Sequence, residues 1–110
     1  MTQARLWYWQ RMSAMLLGVC VLVHLVVMVY AVRGGLSAAE ILERTRGSWA
    51  YGAFYGLFVL ACAVHVPIGV ANIVREWWGW RAATSAILAS LLGIGLTVLG
   101  MRAVYGVIVP

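Results

Sequence analysis

The sequence predicts an all-α membrane protein: three transmembrane helices with a short amphipathic helix between the first and second. Three observations lead there. Of 110 residues, 65% are hydrophobic and 10% charged, with a mean hydropathy of +0.95, a composition foreign to soluble domains. The apolar residues gather in three runs, about 12–32, 49–74 and 82–101, each long enough at ~1.5 Å per residue to cross a hydrocarbon core of roughly 30 Å. The interval between the first two runs carries a helix-start signature of its own. All 110 residues make one membrane-anchor domain.

The first span runs from Met12 to Val32 between Arg11 and Arg33, interrupted by Ser13, Cys20 and His24. Ahead of it, Arg5 beside Trp7, Tyr8 and Trp9 is the basic-aromatic mixture that settles at a membrane interface. The run exceeds a signal-peptide core, and Tyr30-Ala31-Val32-Arg33 is a poor cleavage site, so it reads as a mature span. Gly34-Gly35 breaks this helix. Ser37 and Glu40 then form a capping box, with Leu36 and Ile41 as its hydrophobic staple, so a short surface helix extends to about Thr45.

The second span, from about Trp49 to Val74, opens with Gly52-x-x-x-Gly56, a spacing that admits close helix approach. Pro67 removes a backbone donor and frees the Ala63 carbonyl, which predicts a bend beside His65. Ala61 and Gly69 fall one turn before and after His65, leaving room for a flat macrocycle or for an ordinary helix contact. The third span, about Ala82 to Met101, has Ser85, Ala89, Gly93 and Thr97 at four-residue intervals, a seam for helix packing. It reads as scaffold.

The net charge of +5 comes from eight arginines without lysine, placed near the ends of the runs rather than in a stripe. That placement suits lipid headgroups and partner carboxylates and gives no footing for nucleic acid. Positive charge leaves the orientation tied, with four arginines on each side. Cys20 and Cys62 lack C-x-x-C spacing and read as small buried hydrophobes.

His24 and His65 are the residues that ask for chemistry, because an ionisable group at such depth costs on the order of 2 to 3 kcal/mol. Counted from Arg11 and Arg75, they differ in depth by about three residues, or roughly 5 Å. Two imidazoles on neighbouring antiparallel helices could be the axial ligands of one haem b, whose ring tolerates apolar surroundings. The alternative for each is a packing histidine bonded to a backbone carbonyl. Zinc or copper would want further nitrogen, sulfur or carboxylate ligands, and only two thiols are at hand. Near Arg11, the set Trp9, Gln10, Arg11 and Ser13 could supply donors and an apolar slot for a quinone. The same residues could equally be a headgroup anchor and packing. No acid lies within the spans, which disfavours a proton pump or an ion-coupled exporter.

These residues resemble the cytochrome b membrane-anchor subunit of the succinate dehydrogenase and fumarate reductase family. Arg11-Met12-Ser13-Ala14 is similar to that family's R-x-S-G, His65-Val66-Pro67-Ile68-Gly69 to its H-x-x-x-G, and His24 to the first-helix haem histidine of its di-haem members. The chain departs from the pattern at Gln10, Ala14 and Ala71-Asn72. The resemblance implies haem b, either one or shares in two, on His65 and His24, and a quinone near Arg11 and Ser13. It implies an iron-sulfur subunit and a flavoprotein subunit docked on the Arg11 face. That would put the N-terminus in the cytoplasm of a bacterial inner membrane and make the chain a non-catalytic anchor. In di-haem members the first and second helices ligate different haems, and here a second membrane-anchor subunit would have to complete each. The competing expectation is a haem-free structural or assembly subunit of a larger complex.

Overall fold

A computed structural model describes residues 1–110 as four helices and their short connections: α1 (Gln3–Gly34), α2 (Ala38–Thr45), α3 (Trp49–Trp78) and α4 (Ala82–Ile108). There is no strand. α1, α3 and α4 are long and apolar enough to cross a membrane, and the molecule is 47 Å long, close to a bilayer with its headgroups. Only seven of 110 residues are buried, while large apolar side chains such as Leu22, Val26, Leu91 and Leu99 stand exposed. A surface of that kind fits an integral membrane protein, with lipid covering what a soluble fold would hide.

All three long helices outrun their apolar stretches. α1 starts at Gln3 rather than Met12, capped by the Thr2 side chain on the Arg5 amide, because nothing in its aromatic-basic prelude breaks a helix. α3 continues through Arg75 and Glu76 to Trp78, where Gly79 at φ 65° ends it. α4 passes Arg102 and stops near Ile108; arginine is a good helix former, and its long stem lets the charge reach water from inside the span. Pro67 sits within α3 without interrupting it, so the bend expected there does not divide the helix.

α2 forms as predicted, with both halves of the Ser37–Glu40 capping box present. The Ser37 hydroxyl and amide hold the Glu40 carboxylate and lower its pKa, helped by Arg44. Its far end is tied to α4: the Thr45 hydroxyl donates to the Val107 carbonyl at 2.7 Å and the Gly47 amide to that of Ile108 at 2.7 Å. These bonds satisfy carbonyls that a helix C-terminus leaves without partners. Arg44 does the same for α1, donating to the Gly35 carbonyl at 2.8 Å.

α3 is the central post. It packs against α1 on one side and α4 on the other, while α1 and α4 barely meet. On α4, the predicted seam is the contact surface: Ser85, Ala89 and Gly93 are buried, and the Pro67 ring lies where a Gly93 side chain would be. Thr97 spends its hydroxyl on the Gly93 carbonyl at 2.7 Å. Gly52 approaches Ile108, whereas Gly56 has open space before it, so only the first glycine of that pair serves the contact. α1 touches α3 along one stripe: Leu6, Gln10, Ser13, Leu17, Cys20, His24, Val27 and Ala31 are its least exposed residues. They recur at alternating steps of four and three, the spacing that keeps one face turned toward a left-handed neighbour. Ser13, Cys20 and His24, the residues that interrupt the first span, all lie on that stripe.

Candidate functional site

Three contacts fix the register of α1 against α3. The Gln10 amide lies against Gly69, Ser13 Oγ meets His65 Nδ1 at 3.3 Å, and His24 Nδ1 meets the Tyr55 hydroxyl at 3.0 Å. His65 is therefore level with Ser13, and His24 is level with Tyr55, ten residues before His65 in α3. The depth difference is about 15 Å, three times the offset counted from the arginines. Arginine heads are poor depth markers because their stems bend toward water, and here Arg75 lies beside Gln3 rather than Arg11. Two imidazoles on one iron hold their nitrogens only about 4 Å apart, twice a metal–nitrogen bond. His24 and His65 of one chain therefore do not share an iron.

His65 is the better prepared of the two. Ser13 is 5% exposed, and its hydroxyl donates to the Gln10 carbonyl at 3.1 Å. A hydroxyl has one proton, so with that bond made it can only accept from His65. Both bonds exist together when Nδ1 of His65 carries the proton, and Nε2 then has a free lone pair. An imidazole whose Nδ1–H is fixed by an oxygen is the arrangement that orients a metal-ligating histidine. Nε2 of His65 is not among the buried atoms lacking a partner; those are Gln10 Oε1 and Ser85 Oγ. No third His, Cys, Asp or Glu converges there, so the donor set fits a macrocycle that brings its own four nitrogens better than a bare ion. The space beside Gly69, however, is filled by the Gln10 amide, so that glycine makes room for α1 rather than for a ring.

The four residues expected around a quinone do not converge. Gln10 and Ser13 enter the α1–α3 contact, whereas Arg11 points away and stacks its guanidinium over Trp7 at 5.2 Å, and Trp9 is 47% exposed. The reason is helical geometry: each residue turns the face by about 100°, so Arg11 and Ser13 stand nearly opposite. The Ser13 proton is spent on the Gln10 carbonyl, so none is left for a carbonyl ligand.

No protein-family model, curated protein or solved structure matches this chain. The site's chemistry rests on its own geometry.

Two polar features escaped the sequence reading. At the Arg11 end, a cavity of about 270 Å³ between α1, α3 and α4 is lined by Gln3, Asn72, Arg75 and Ser90 among apolar residues. Gln3 and Arg75 are adjacent only because of the helix register. At the α2 end, Tyr55 partners His24, and the Tyr51, Tyr55 and Phe58 rings run nearly parallel up α3. The signal for Tyr55 was its spacing, since Tyr51, Tyr55 and Phe58 share one face of α3.

Proposed function

We propose that this chain is a haem b-binding membrane anchor of a quinone-linked dehydrogenase complex, similar in role to the anchors of succinate dehydrogenase and fumarate reductase. The observation that carries the reading is His65: an imidazole inside a membrane span, its Nδ1–H fixed across the helix contact by Ser13 and its Nε2 left to coordinate. His65 would supply one axial nitrogen, and a second membrane-anchor subunit the other. When bound, the haem supplies one-electron chemistry between an iron-sulfur subunit and membrane quinone.

The chain's own residues do the rest. α3 holds the imidazole at fixed depth, Ser13 accepts its Nδ1–H, and the apolar span around it keeps water away. The Gln3, Asn72 and Arg75 cavity offers amide and guanidinium donors to a quinone carbonyl from the same end, with Arg11 and Trp9 on the adjoining face. An iron-sulfur subunit and a flavoprotein subunit would dock at that end, making it the cytoplasmic side of a bacterial inner membrane.

A reduced-minus-oxidised spectrum of membranes carrying the native complex tests this. The expected result is a b-type signal that disappears in His65→Ala. A colourless complex would leave the second reading, a structural or assembly subunit built on the α3–α4 seam.

A further inference from the structure

The end of the molecule away from Ser13 holds a cavity that the haem reading does not use. α1, α2, the start of α3 and the end of α4 enclose about 320 Å³ there, walled by apolar residues including Val27, Met28, Val104 and Val107. That volume lies in the range of small-molecule sites. Arg44 stands at the interface end beside Gly35, and His24 lies about 15 Å deeper, ten residues before Gly34.

The polar groups lining it decide what could bind. Arg44 stays at the mouth, with one of its N–H groups on the Gly35 carbonyl and its guanidinium over the Tyr30 ring at 5.8 Å. The Thr45 hydroxyl is spent on the Val107 carbonyl. No carboxylate lines the cavity. What remains is the His24 ring at depth, with the Tyr51 hydroxyl one turn nearer the mouth and Tyr30 beside Arg44.

Proton placement on His24 follows from its partner. Tyr55 has no acceptor in reach other than His24 Nδ1. If Tyr55 donates to Nδ1, the phenol proton and the Nδ1 lone pair are both satisfied and the imidazole proton sits on Nε2. If Nδ1–H donated instead, the phenol proton and the Nε2 lone pair would both be left without partners, and the weaker acid would be donating to the weaker base. The first arrangement holds. Nε2–H of His24 is thus a donor without a protein acceptor, and it is not a sealed atom.

We propose that this cavity binds a neutral, apolar small molecule through a carbonyl oxygen, which accepts a hydrogen bond from His24 Nε2–H. At the depth of His24 an anion would find no cation, since Arg44 stands about 15 Å nearer the surface, and a cation would find no carboxylate. A lipid acyl chain fills space but brings no acceptor to that depth, since its ester oxygens stay near the headgroups. The site is independent of His65 and of any haem there.

Benzophenone, a neutral aromatic ketone that inserts into nearby C–H bonds under ultraviolet light, tests the proposal on the full-length chain in phosphatidylcholine vesicles. Adducts are mapped by mass spectrometry at Met28, in the cavity wall, and at Met15, on the lipid-facing side of α1 and 67% exposed. The expected result is preferential labelling of Met28, reduced about fivefold in His24→Phe, the worth of one net hydrogen bond. His24→Gln, which keeps an amide donor, should retain most of it, and Ser13→Ala should not change it. Equal labelling of the two methionines, or Met28 labelling that His24→Phe leaves unchanged, would overturn the proposal and point to lipid in the cavity.

Discussion

At the Arg11 end of the α1–α3 contact, His65 of α3 gives its Nδ1 proton to Ser13 of α1. At the α2 end, Nδ1 of His24 in α1 accepts a hydrogen bond from the Tyr55 hydroxyl of α3. In each case a hydroxyl from the neighbouring helix holds an imidazole by the same nitrogen. The outcome differs because Ser13 has a backbone carbonyl for its own proton and Tyr55 has none. One histidine is left with a bare Nε2, suited to a metal, and the other with an Nε2–H, suited to an acceptor oxygen. A histidine's position in a span does not reveal its chemistry; the partner's second hydrogen bond does.

The sharpest separation of the two ends is by pigment. His65→Ala should abolish b-type absorbance in membranes carrying the complex, while His24→Ala should leave it in place, both read as reduced-minus-oxidised spectra. Loss of signal in both variants would give each histidine a haem and erase the asymmetry.

Next in size is Gly93→Leu. The Pro67 ring occupies the space a side chain would need, so α4 must move off α3 at a cost of about 1 to 3 kcal/mol. Thermal denaturation of the detergent-solubilised chain should show it as a lowered midpoint. Gly56→Ala, with nothing before it, should leave the midpoint unchanged and so locate the contact surface.

Much of this fold was legible because the bilayer writes it in coarse terms. Hydropathy marked three spans, small residues at four-residue steps marked the α4 seam, and Ser37-x-x-Glu40 marked the start of α2. The site was less legible. Both histidines stood out as imidazoles inside lipid, but their depths were measured from arginines that do not lie at equal heights, and the true offset came only from Ser13 against His65. A signal was present in the sequence: Gln10, Ser13, Leu17, Cys20 and His24 recur at steps of three and four, which puts the residues that interrupt the first span on one face. Arg11 falls off that stripe, so its separation from Ser13 follows from the same count. The identity of Tyr55 as partner depends on how two helices slide past each other, and no local pattern encodes that.

Ser13→Ala should cost about 1 kcal/mol or somewhat less, because it leaves the His65 Nδ1–H without an acceptor in an apolar contact. Ser13→Thr should restore most of the loss. Equilibrium unfolding in mixed micelles measures it, and no change in Ser13→Ala would mean that the 3.3 Å contact does not order the ring.

Smaller still is the effect of acid on α2. The Ser37 bonds and the nearby Arg44 lower the pKa of Glu40, so the capping box contributes fully above the ordinary carboxylate range and is lost as pH falls through the depressed value. Amide exchange at the start of α2 should therefore quicken relative to α3 once the pH drops well below about 4. Glu40→Gln should remove that pH dependence.

The opposed proton positions are most directly read by ¹⁵N NMR of histidine-labelled full-length chain in lipid nanodiscs, with His24→Phe and His65→Phe assigning the two rings. The expected spectrum shows His65 protonated at Nδ1 with a bare Nε2, and His24 protonated at Nε2 with a bare Nδ1. The same tautomer on both rings would contradict the account, since the hydroxyls of Ser13 and Tyr55 would then not govern what each imidazole can bind.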